Sequence, residues 1–353
     1  LTILCLFAKD VNASGLPSHV EHLGLRNGLS NDFVTDIAQD KHGFLWIGTE
    51  AGLNRFDGES FRVFSERNTV LKGNAINTLF YDEKTDRLWI GSKKGLDVLD
   101  CKTLKFETID LPAGMGKLNV NGFARAADGG IYILNHYDFI MHCDGSAKTF
   151  KVYRQKDLPG LPMSFRSIAD DGHGHLYIGH DKYGLSVVDL RTKKIERFVH
   201  EDGKAVSLPG NSVKDIFIDR LGRVWLGTDR GMALFNTATK TFHAFSTGLA
   251  DSGCRNVYSI MESRDGMLWA GCNPDGVYVL DIRNLSLPLT GLSRLTALSL
   301  AGGHGGIASD KVYSVFQDSF GNVWIGYYGG GLDFVSRTQP LFSMLPYFGM
   351  ADG

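Results

Sequence analysis

The sequence predicts an all-β fold, a seven-bladed β-propeller with four antiparallel strands in each blade. The first observation is a recurring segment of strand, Gly-bounded loop and strand, in copies such as FLWIGTEAGL, RLWIGSKKGL and RVWLGTDRGM. The second is its spacing, because the central aromatic residues of seven copies lie 43 to 55 residues apart, at Trp46, Trp89, Tyr132, Tyr177, Trp225, Trp269 and Trp324. A period in the forties is typical of one four-stranded blade per repeat.

Length and composition agree with a radial repeat. The chain has 353 residues, more than one compact core usually supports, and a propeller removes that limit because each blade packs only against its neighbours. Its 43 glycines exceed the usual share, as many tight turns require. A formal net charge of −2 gives no general attraction to nucleic acid or to an anionic membrane, so no nucleic-acid contact is expected.

The chain divides into three predicted parts. Residues 1–13 are interpreted as the remnant of a secretory signal peptide, because an apolar run is followed by a small-residue cleavage pattern. Residues 14–345 form the propeller, and 346–353 form a truncated tail that leads to a missing C-terminal region. The repeats begin near residues 28, 71, 115, 161, 208, 251 and 307. A soluble, exported domain is therefore expected.

Blade one shows the predicted pattern. An inner strand precedes the turn that begins at Asp40, and Phe44–Thr49 follows as the second strand. Aspartate at the first position of such a turn accepts hydrogen bonds from its own backbone, which outweighs a metal or acid–base role. The tryptophans are predicted to pack between blades and to donate a hydrogen bond through the indole N–H. These structural residues are Trp46, Trp89, Trp225, Trp269 and Trp324.

Two structural questions stay open in the sequence. The ring must close, since an open ring exposes two sheet edges. Either His19–Leu23 or Pro340–Leu345 could supply the outer strand of blade seven. Cys254 and Cys272 fall on paired strands of blade six and could form a disulfide. Cys101 and Cys143 are expected to lie too far apart to be joined.

A ligand is expected on the face from which the loops between second and third strands emerge. These loops vary in sequence on a repeated scaffold, where function commonly resides. Their Lys, Arg, Asp, His and Tyr residues suit a polar, hydroxylated or anionic ligand, although a solvated rim that binds nothing is an equal alternative. The candidate contacts are His136, Tyr137, His180, Lys182, Tyr183, Asp229, Arg230, Tyr327 and Tyr328.

Catalytic, metal and cofactor sites are not predicted. The sequence has no Gly-x-Ser-x-Gly elbow and no His-Glu-x-x-His motif, and its cysteine spacing fits no metal site. The Gly-rich segment Gly302–Gly306 lacks the Lys-Ser/Thr of a phosphate loop, so a flexible surface loop is predicted there.

Residues 28–58, GLSNDFVTDIAQDKHGFLWIGTEAGLNRFDG, resemble a two-component-regulator propeller repeat. The resemblance covers about residues 20–345, with specific matches in the first, second, fifth and seventh repeats and the largest departure in the third. It implies the periplasmic sensor region of a hybrid histidine kinase. It further implies a second propeller and a β-sandwich in the full-length chain, a homodimer, and glycan breakdown products as ligands. The kinase residues would lie outside this chain, so no enzymatic activity of its own is expected.

Three functions follow as hypotheses. The leading one is a ligand-sensing propeller that recognises an oligosaccharide and signals through a phosphorelay to transcription. The second is a secreted propeller enzyme, a polysaccharide lyase or glycosidase. The third is a protein-interaction scaffold.

Overall fold

The computed structural model describes residues 19–336 except 108, 110, 113, 116–117, 145–147, 246–253, 286–295 and 299–305. Within these residues the strands form seven four-stranded antiparallel sheets, which confirms the predicted seven blades. The proposed signal-peptide remnant, the tail 346–353 and the strand Pro340–Leu345 lie outside the described residues, as does most of Gly302–Gly306.

The blades follow one another along the chain, each with its first strand innermost. The strands of blades one to four are Val34–Gln39, Leu45–Thr49, Gly52–Phe56 and Phe61–Phe64; Ile76–Asp82, Arg87–Ser92, Gly95–Asp100 and Lys105–Glu107; Val120–Arg125, Ile131–Asn135, Phe139–Cys143 and Phe150–Arg154; Phe165–Asp170, His175–His180, Leu185–Asp189 and Ile195–Phe198. Those of blades five and six are Val213–Ile218, Val224–Thr228, Gly231–Asn236 and Thr241–Phe245; Val257–Glu262, Met267–Cys272, Gly276–Asp281 and Thr296–Leu298.

Blade seven closes the ring with the N-terminal strand. Its first three strands are Val312–Gln317, Val323–Tyr327 and Leu332–Ser336, and the fourth is His19–Leu23. Val20 pairs with Val335 in an antiparallel register. Of the two predicted alternatives for closure, the structure therefore contains the first. A short 3-10 helix, Leu25–Asn27, leads from this strand towards blade one.

The core lies between neighbouring blades. Every residue of Leu45–Thr49 is buried, because a second strand is covered on both faces by the adjacent sheets. One hydrophobic cluster joins Trp46 and Leu53 of blade one to Leu79 and Ile90 of blade two. The predicted packing role of the tryptophans is thus confirmed, and none of the five is more than 5% exposed.

A glycine near the end of the second strand lets the next blade approach. A Cβ atom built on Gly271 would lie 2.6 Å from Cγ1 of Val312, the first residue of the next innermost strand. The same close approach recurs at Gly326 against Val34, where blade seven meets blade one, at a distance of 2.5 Å. Real Cβ contacts are longer than this, so any larger residue would push the neighbouring strand outward.

In blade three the large residue lies on the second strand and the glycine on the first. Leu134 replaces the glycine of the second strand and is fully buried. It pairs with Gly122 on the first strand, where other blades have a polar side chain. A Cβ on Gly122 would lie 3.3 Å from Cδ2 of Leu134. The departure of the third repeat is therefore a local exchange of a small and a large residue, and the blade itself is complete.

Most tryptophans are tied to the turn that precedes their strand. Trp46 Nε1 donates to Asp40 Oδ2 over 2.9 Å, and the other carboxylate oxygen of Asp40 accepts the backbone N–H groups of His42 and Phe44. Equivalent bonds join Trp225 to Asp219, Trp269 to Ser263 and Trp324 to Asp318. In blades one, five and seven one carboxylate thus caps the turn and satisfies the buried indole, and in blade six the Ser263 hydroxyl accepts the indole bond.

Trp89 is the exception, and the prediction of an indole hydrogen bond is wrong there. Its Nε1 is buried without a hydrogen-bond partner. Blade two has a longer turn, and its Asp82 carboxylate instead binds Thr85 and Arg125. In the longer turn the Asp82 carboxylate is therefore used by other donors and does not accept a hydrogen bond from the Trp89 indole.

The cysteines behave as their strand positions allow. Cys254 and Cys272 form a disulfide with a Cα–Cα distance of 5.7 Å, which settles the question that the sequence left open. Cys101 and Cys143 are both buried and are not joined by a disulfide, as predicted. The disulfide joins the start of blade six to its second strand.

The glycine contact predicts a specific coupling between blades. Gly271→Ala should lower the free energy of unfolding by about 2 kcal/mol, as overpacking of a close contact does. Val312→Ala removes the opposing methyl groups, so the double variant should be at least about 1 kcal/mol more stable than the sum of the single effects predicts. Denaturant titration of the four proteins measures this cycle.

A matched cycle supplies the control. Gly271→Ala combined with Val34→Ala, which acts at the other blade junction, should give additive losses of stability. Additive losses for Gly271 and Val312 as well would contradict the proposed approach of the strands.

The turn aspartates predict a second effect on stability. Asp40→Ala removes the acceptor of the Trp46 indole and of two backbone N–H groups, so it should cost about 2 to 3 kcal/mol of unfolding free energy. Asp57→Ala is the matched control, because Asp57 caps the N–H groups of Glu59 and Ser60 in an exposed turn without any tryptophan. Equal losses in urea titrations of the two variants would show that the indole bond contributes nothing.

Candidate functional site

The innermost strands carry a β-bulge at the same position in all seven blades. In blade one the register shifts between Val34 and Asp36, and the extra residue is Thr35. A bulge re-aims its side chain, and here these side chains line the central channel. The seven bulge residues are Thr35, Asn77, Asn121, Arg166, Lys214, Tyr258 and Tyr313.

The channel contains a cavity of about 370 Å³. Beside the bulge residues it is lined by the residue that follows each of them, and by Glu50, Lys93, Asn119 and His136. Glu50, Lys93 and His136 belong to loops between second and third strands, so they mark the channel end that we call the mouth. The volume lies in the range of small-molecule sites, and the lining is rich in hydrogen-bonding groups.

Aromatic and cationic side chains meet on one side of the cavity. The rings of Tyr258 and Tyr313 stack with centroids 4.5 Å apart. Arg166 reaches across from blade four, and its Nη2 donates to the Tyr313 hydroxyl over 3.0 Å. Lys214 Nζ lies 4.7 Å from the centroid of the Tyr258 ring. Blades four to seven thus supply two cations and a stacked pair of aromatic rings.

The other side of the cavity is lined mainly by amides. Asn77 Nδ2 donates to Asn119 Oδ1 over 2.8 Å. Asn121 Nδ2 donates to the carbonyl of Phe165 over 2.9 Å and lies 3.2 Å from His136 Nδ1. At the mouth, Lys93 and Glu50 form an ion pair of 2.8 Å. The charges on this side are therefore paired within the protein.

Two channel aspartates join the innermost strands of neighbouring blades. Asp36 Oδ2 accepts the backbone N–H of Leu79 over 2.7 Å, and Asp215 Oδ2 accepts that of Ile260 over 2.7 Å. Loss of hydration raises the pKa of each carboxyl to about 6, although these hydrogen bonds act in the opposite direction. Both aspartates therefore titrate near neutral pH.

The predicted rim residues separate into four groups, of which three remain at least partly exposed. His136 is half-buried and is the one that lines the cavity. Asp229 braces a loop, because its carboxylate accepts the backbone N–H of Ser212 over 3.1 Å. The remaining exposed residues extend into solvent around the mouth: Tyr137, Lys182, Tyr183, Arg230 and Tyr328.

The expectation that His180 and Tyr327 belong to the exposed rim is wrong, since both are fully buried. His180 Nε2 lies 2.8 Å from the Ser186 hydroxyl, and burial lowers the pKa of His180 to about 4. The Tyr327 hydroxyl donates to Asp333, and burial raises the pKa of Tyr327. Both residues end their second strands at the position of buried Thr49, which explains why their side chains face inward.

The sequence argument missed the bulge residues, which form most of the channel wall. Their signal was present as a variable second position in each innermost strand, between apolar Val34 and Ile37 in blade one. In a regular strand the side chain at this position would point to the same side of the sheet as the side chains two residues before and after it. The bulge instead turns it into the channel.

No group of three or more His, Cys, Asp or Glu residues in the part of the chain that the structure describes could hold a metal ion. Nor does the described part of the chain contain a helix long and apolar enough to cross a membrane.

Comparison with known proteins confirms the resemblance in the repeats. The family model described as two component regulator propeller matches residues 28–51, 207–230 and 306–329, in blades one, five and seven. A 38-residue stretch is 55% identical to histidine kinase P4 of Formosa agariphila, over 11% of this chain and 3% of that protein. Three segments of the chain therefore match the two component regulator propeller repeat.

Solved structures extend the likeness to the whole fold. The extracellular domain of BT3049 from B. thetaiotaomicron, described as a hybrid two component system, matches with a TM-score of 0.79 and 30% identity over 92% of this chain. The match covers 42% of that domain, so this chain spans less than half of its length. A streptogramin B lyase matches with a TM-score of 0.66 at 13% identity, over 90% of this chain and 96% of its own, which shows the fold alone. The propeller thus resembles an extracellular domain of a hybrid two component system.

The channel aspartates predict a pH dependence of stability. Their pKa in the folded protein, about 6, lies above the ordinary value of 3.8, so folding favours the protonated form. The stabilisation that these two carboxyl groups add to the folded state is fully present below about pH 4 and is lost as the pH rises through about 6. The double variant Asp36→Asn, Asp215→Asn should therefore lose less stability than the unmodified protein between pH 5 and pH 7 in urea titrations.

Asp57→Asn is the control for this experiment. Hydrogen bonds from Ser60 and Glu59 lower the pKa of Asp57, so its contribution changes only at more acidic pH. Its pH profile between 5 and 7 should match that of the unmodified protein. If the unfolding free energy of the double aspartate variant changed with pH as steeply as that of the unmodified protein, the raised pKa of Asp36 and Asp215 would be contradicted.

Proposed function

We propose that this chain is the ligand-sensing propeller of a membrane-bound hybrid two-component histidine kinase, and that it recognises an oligosaccharide at the mouth of its channel. The sensor role is supported by the two component regulator propeller repeats and by the likeness to the BT3049 extracellular domain. That domain is extracellular, which supports an exported, periplasmic location for this chain as well.

The observation that carries the ligand class is the stacked pair Tyr258 and Tyr313 within a polar channel. A sugar ring presents C–H groups on its faces and hydroxyl groups around its edge. Aromatic rings can contact the faces, while Asn77, Asn121 and Arg166 can exchange hydrogen bonds with the hydroxyl groups. The exposed tyrosines around the mouth would extend such contacts to further sugar units.

Signalling would follow from a shift in population between two arrangements of the sensor. A ligand shifts such an equilibrium only as far as it binds the two states with different affinity. In this proposal the mouth faces a second propeller of the full-length chain, and the ligand favours one arrangement of the propellers and the β-sandwich within a homodimer. The phosphorelay to transcription then responds to that arrangement.

An enzymatic role has less support. The streptogramin B lyase shares the fold at 13% identity, and fold alone does not carry function. His180, one of the two histidines among the predicted rim residues, is fully buried. Turnover of a glycan by the purified chain, abolished by His136→Ala, would nevertheless favour an enzyme over the sensor.

Binding of a glycan panel tests the proposal. Calorimetric titration of the chain with neutral and acidic oligosaccharides should identify at least one that binds, and Tyr258→Ala should weaken that binding about tenfold or more. A tenfold loss equals about 1.4 kcal/mol, the size of one good aromatic contact. Phe320→Ala is the matched control, because Phe320 is 77% exposed in a turn at the opposite end of the channel.

Two results would contradict this function. The first is absence of heat across the whole panel. The second is binding that Tyr258→Ala leaves unchanged, which would place the ligand outside the channel. Capture of a protein partner in the absence of any sugar would instead support the scaffold hypothesis.

A further inference from the structure

We infer that the channel contains an oxyanion subsite between Arg166 and Lys214, and that the recognised sugar therefore carries a carboxylate or a sulfate ester. This inference rests on the proposed function, because it assigns the charge of the ligand that the same channel would bind. It goes further by naming the two side chains that select that charge.

Lys214 is the first reason. Its side chain is half-buried at a bulge of blade five, and no hydrogen bond or ion pair to its ammonium occurs among the described residues. Its recorded contact is with the face of the Tyr258 ring, 4.7 Å away. Desolvation lowers the pKa of Lys214, and the positive charge of Arg166 adds to that effect. A partly buried cation without a counter-ion is costly, and a bound anion would offset that cost.

Arg166 is the second reason. A guanidinium group has five N–H donors in one plane, and the described contacts of Arg166 use one of them, to the Tyr313 hydroxyl. The remaining donors can bind two oxygens of one carboxylate or sulfate group. The bond to Tyr313 also holds the guanidinium group across the channel, so the donors are already positioned before a ligand arrives.

Among the described residues, no carboxylate forms an ion pair with Arg166 or Lys214, although Asp181 raises the pKa of Arg166 from a distance. Asp36 and Asp215 accept backbone N–H groups from neighbouring strands. Asp181 accepts the hydroxyl of Ser212 over 3.2 Å, and Asp229 accepts the backbone N–H of the same residue. These two carboxylates raise the pKa of Lys214 from a distance, but neither forms an ion pair with it among the described residues.

The stacked tyrosines indicate which part of the ligand carries the anionic group. Tyr258 contacts Lys214, and Tyr313 accepts the bond from Arg166, so the aromatic pair and the cation pair form one continuous surface. A sugar ring placed against the tyrosines would bring an acidic substituent to the cations. Uronic acids and sulfated sugars both combine these features, and the shared chemistry is an oxyanion attached to a sugar ring.

The first arm of the test uses inorganic sulfate alone. Thermal unfolding is measured in sodium sulfate and in sodium chloride at equal ionic strength, which separates specific binding from screening. Sulfate should raise the melting temperature of the unmodified protein by more than it raises that of Lys214→Gln. Lys214→Arg should restore the difference, and Lys102→Gln, an exposed lysine in an outer turn of blade two, should leave it unchanged. Equal sulfate effects in all four proteins would overturn the subsite.

The second arm uses matched sugars in calorimetry. Trigalacturonate is compared with its methyl ester, and 6-sulfated galactobiose with galactobiose, so the two sources of the oxyanion are tested separately. The acidic member of at least one pair should bind at least about tenfold more tightly, and Lys214→Gln should remove most of that preference without changing the affinity for the neutral member.

The outcomes separate this inference from the proposed function. Neutral and acidic sugars that bind equally well would leave the sensor role standing and overturn the oxyanion subsite. A sulfate effect that depends on Lys214, with no sugar bound in either pair or in the glycan panel, would support the subsite and overturn oligosaccharide sensing. A preference for acidic sugars that survives Lys214→Gln would place the anion elsewhere and contradict the assignment.

Discussion

The close approach of neighbouring blades is the constraint on which the rest of this propeller depends. At the junction of blades six and seven, Gly271 leaves room for Val312, and at the ring closure Gly326 leaves room for Val34. Because a side chain at these glycines would push the next strand outward, the glycine fixes the distance between consecutive innermost strands. Six blades have this glycine, and in blade three Leu134 opposite Gly122 takes its place. These junctions together determine the width of the channel, so a packing rule repeated in the sequence sets the dimensions of the candidate site.

The same junctions also decide which residues reach the channel. The residue that pairs with the glycine across the first two strands is Asp36 in blade one and Asp215 in blade five. Each of these carboxylates accepts a backbone N–H group of the next blade. The bulge residue beside it is released from the blade core and faces the channel. Structural positions and variable positions therefore alternate along one short strand, which allows the lining to change while the junction stays the same.

Much of the fold could be predicted because its physical signals repeat. The spacing of the central aromatic residues predicted seven blades, and polar turn residues such as Asp40 marked the boundary between strands. What single positions do was harder to infer. Trp89 lacks its expected partner because a longer turn redirects Asp82, and Leu134 is accommodated only because Gly122 faces it. Both depend on a contact with another strand or turn, which periodicity in one segment does not contain.

The candidate site was harder still, since most residues that line the channel were not among the predicted contacts. His180 and Tyr327 looked like loop residues, yet each ends a strand at a buried position. Arg166, Lys214, Tyr258 and Tyr313 looked like ordinary strand residues, yet a bulge turns each of them into the channel. A one-residue shift in register reverses the direction of a side chain, so sequence alternation assigns such positions to the wrong side.

The distribution of side chains around the ring has a consequence for sensing. Blades one to three contribute mainly amides and hydroxyls, with Lys93 paired to Glu50, whereas blades four to seven contribute Arg166, Lys214 and the stacked tyrosines. A ligand held by the second group would contact only part of a ring whose junctions resist deformation, because close-packed interfaces are not continuously adjustable. Such a ligand would change the surface and charge that the mouth presents to a neighbouring domain, and would leave the spacing of the blades as it was. In the proposed sensor, ligand binding would therefore be transmitted to the neighbouring domain by the changed surface and charge of the mouth.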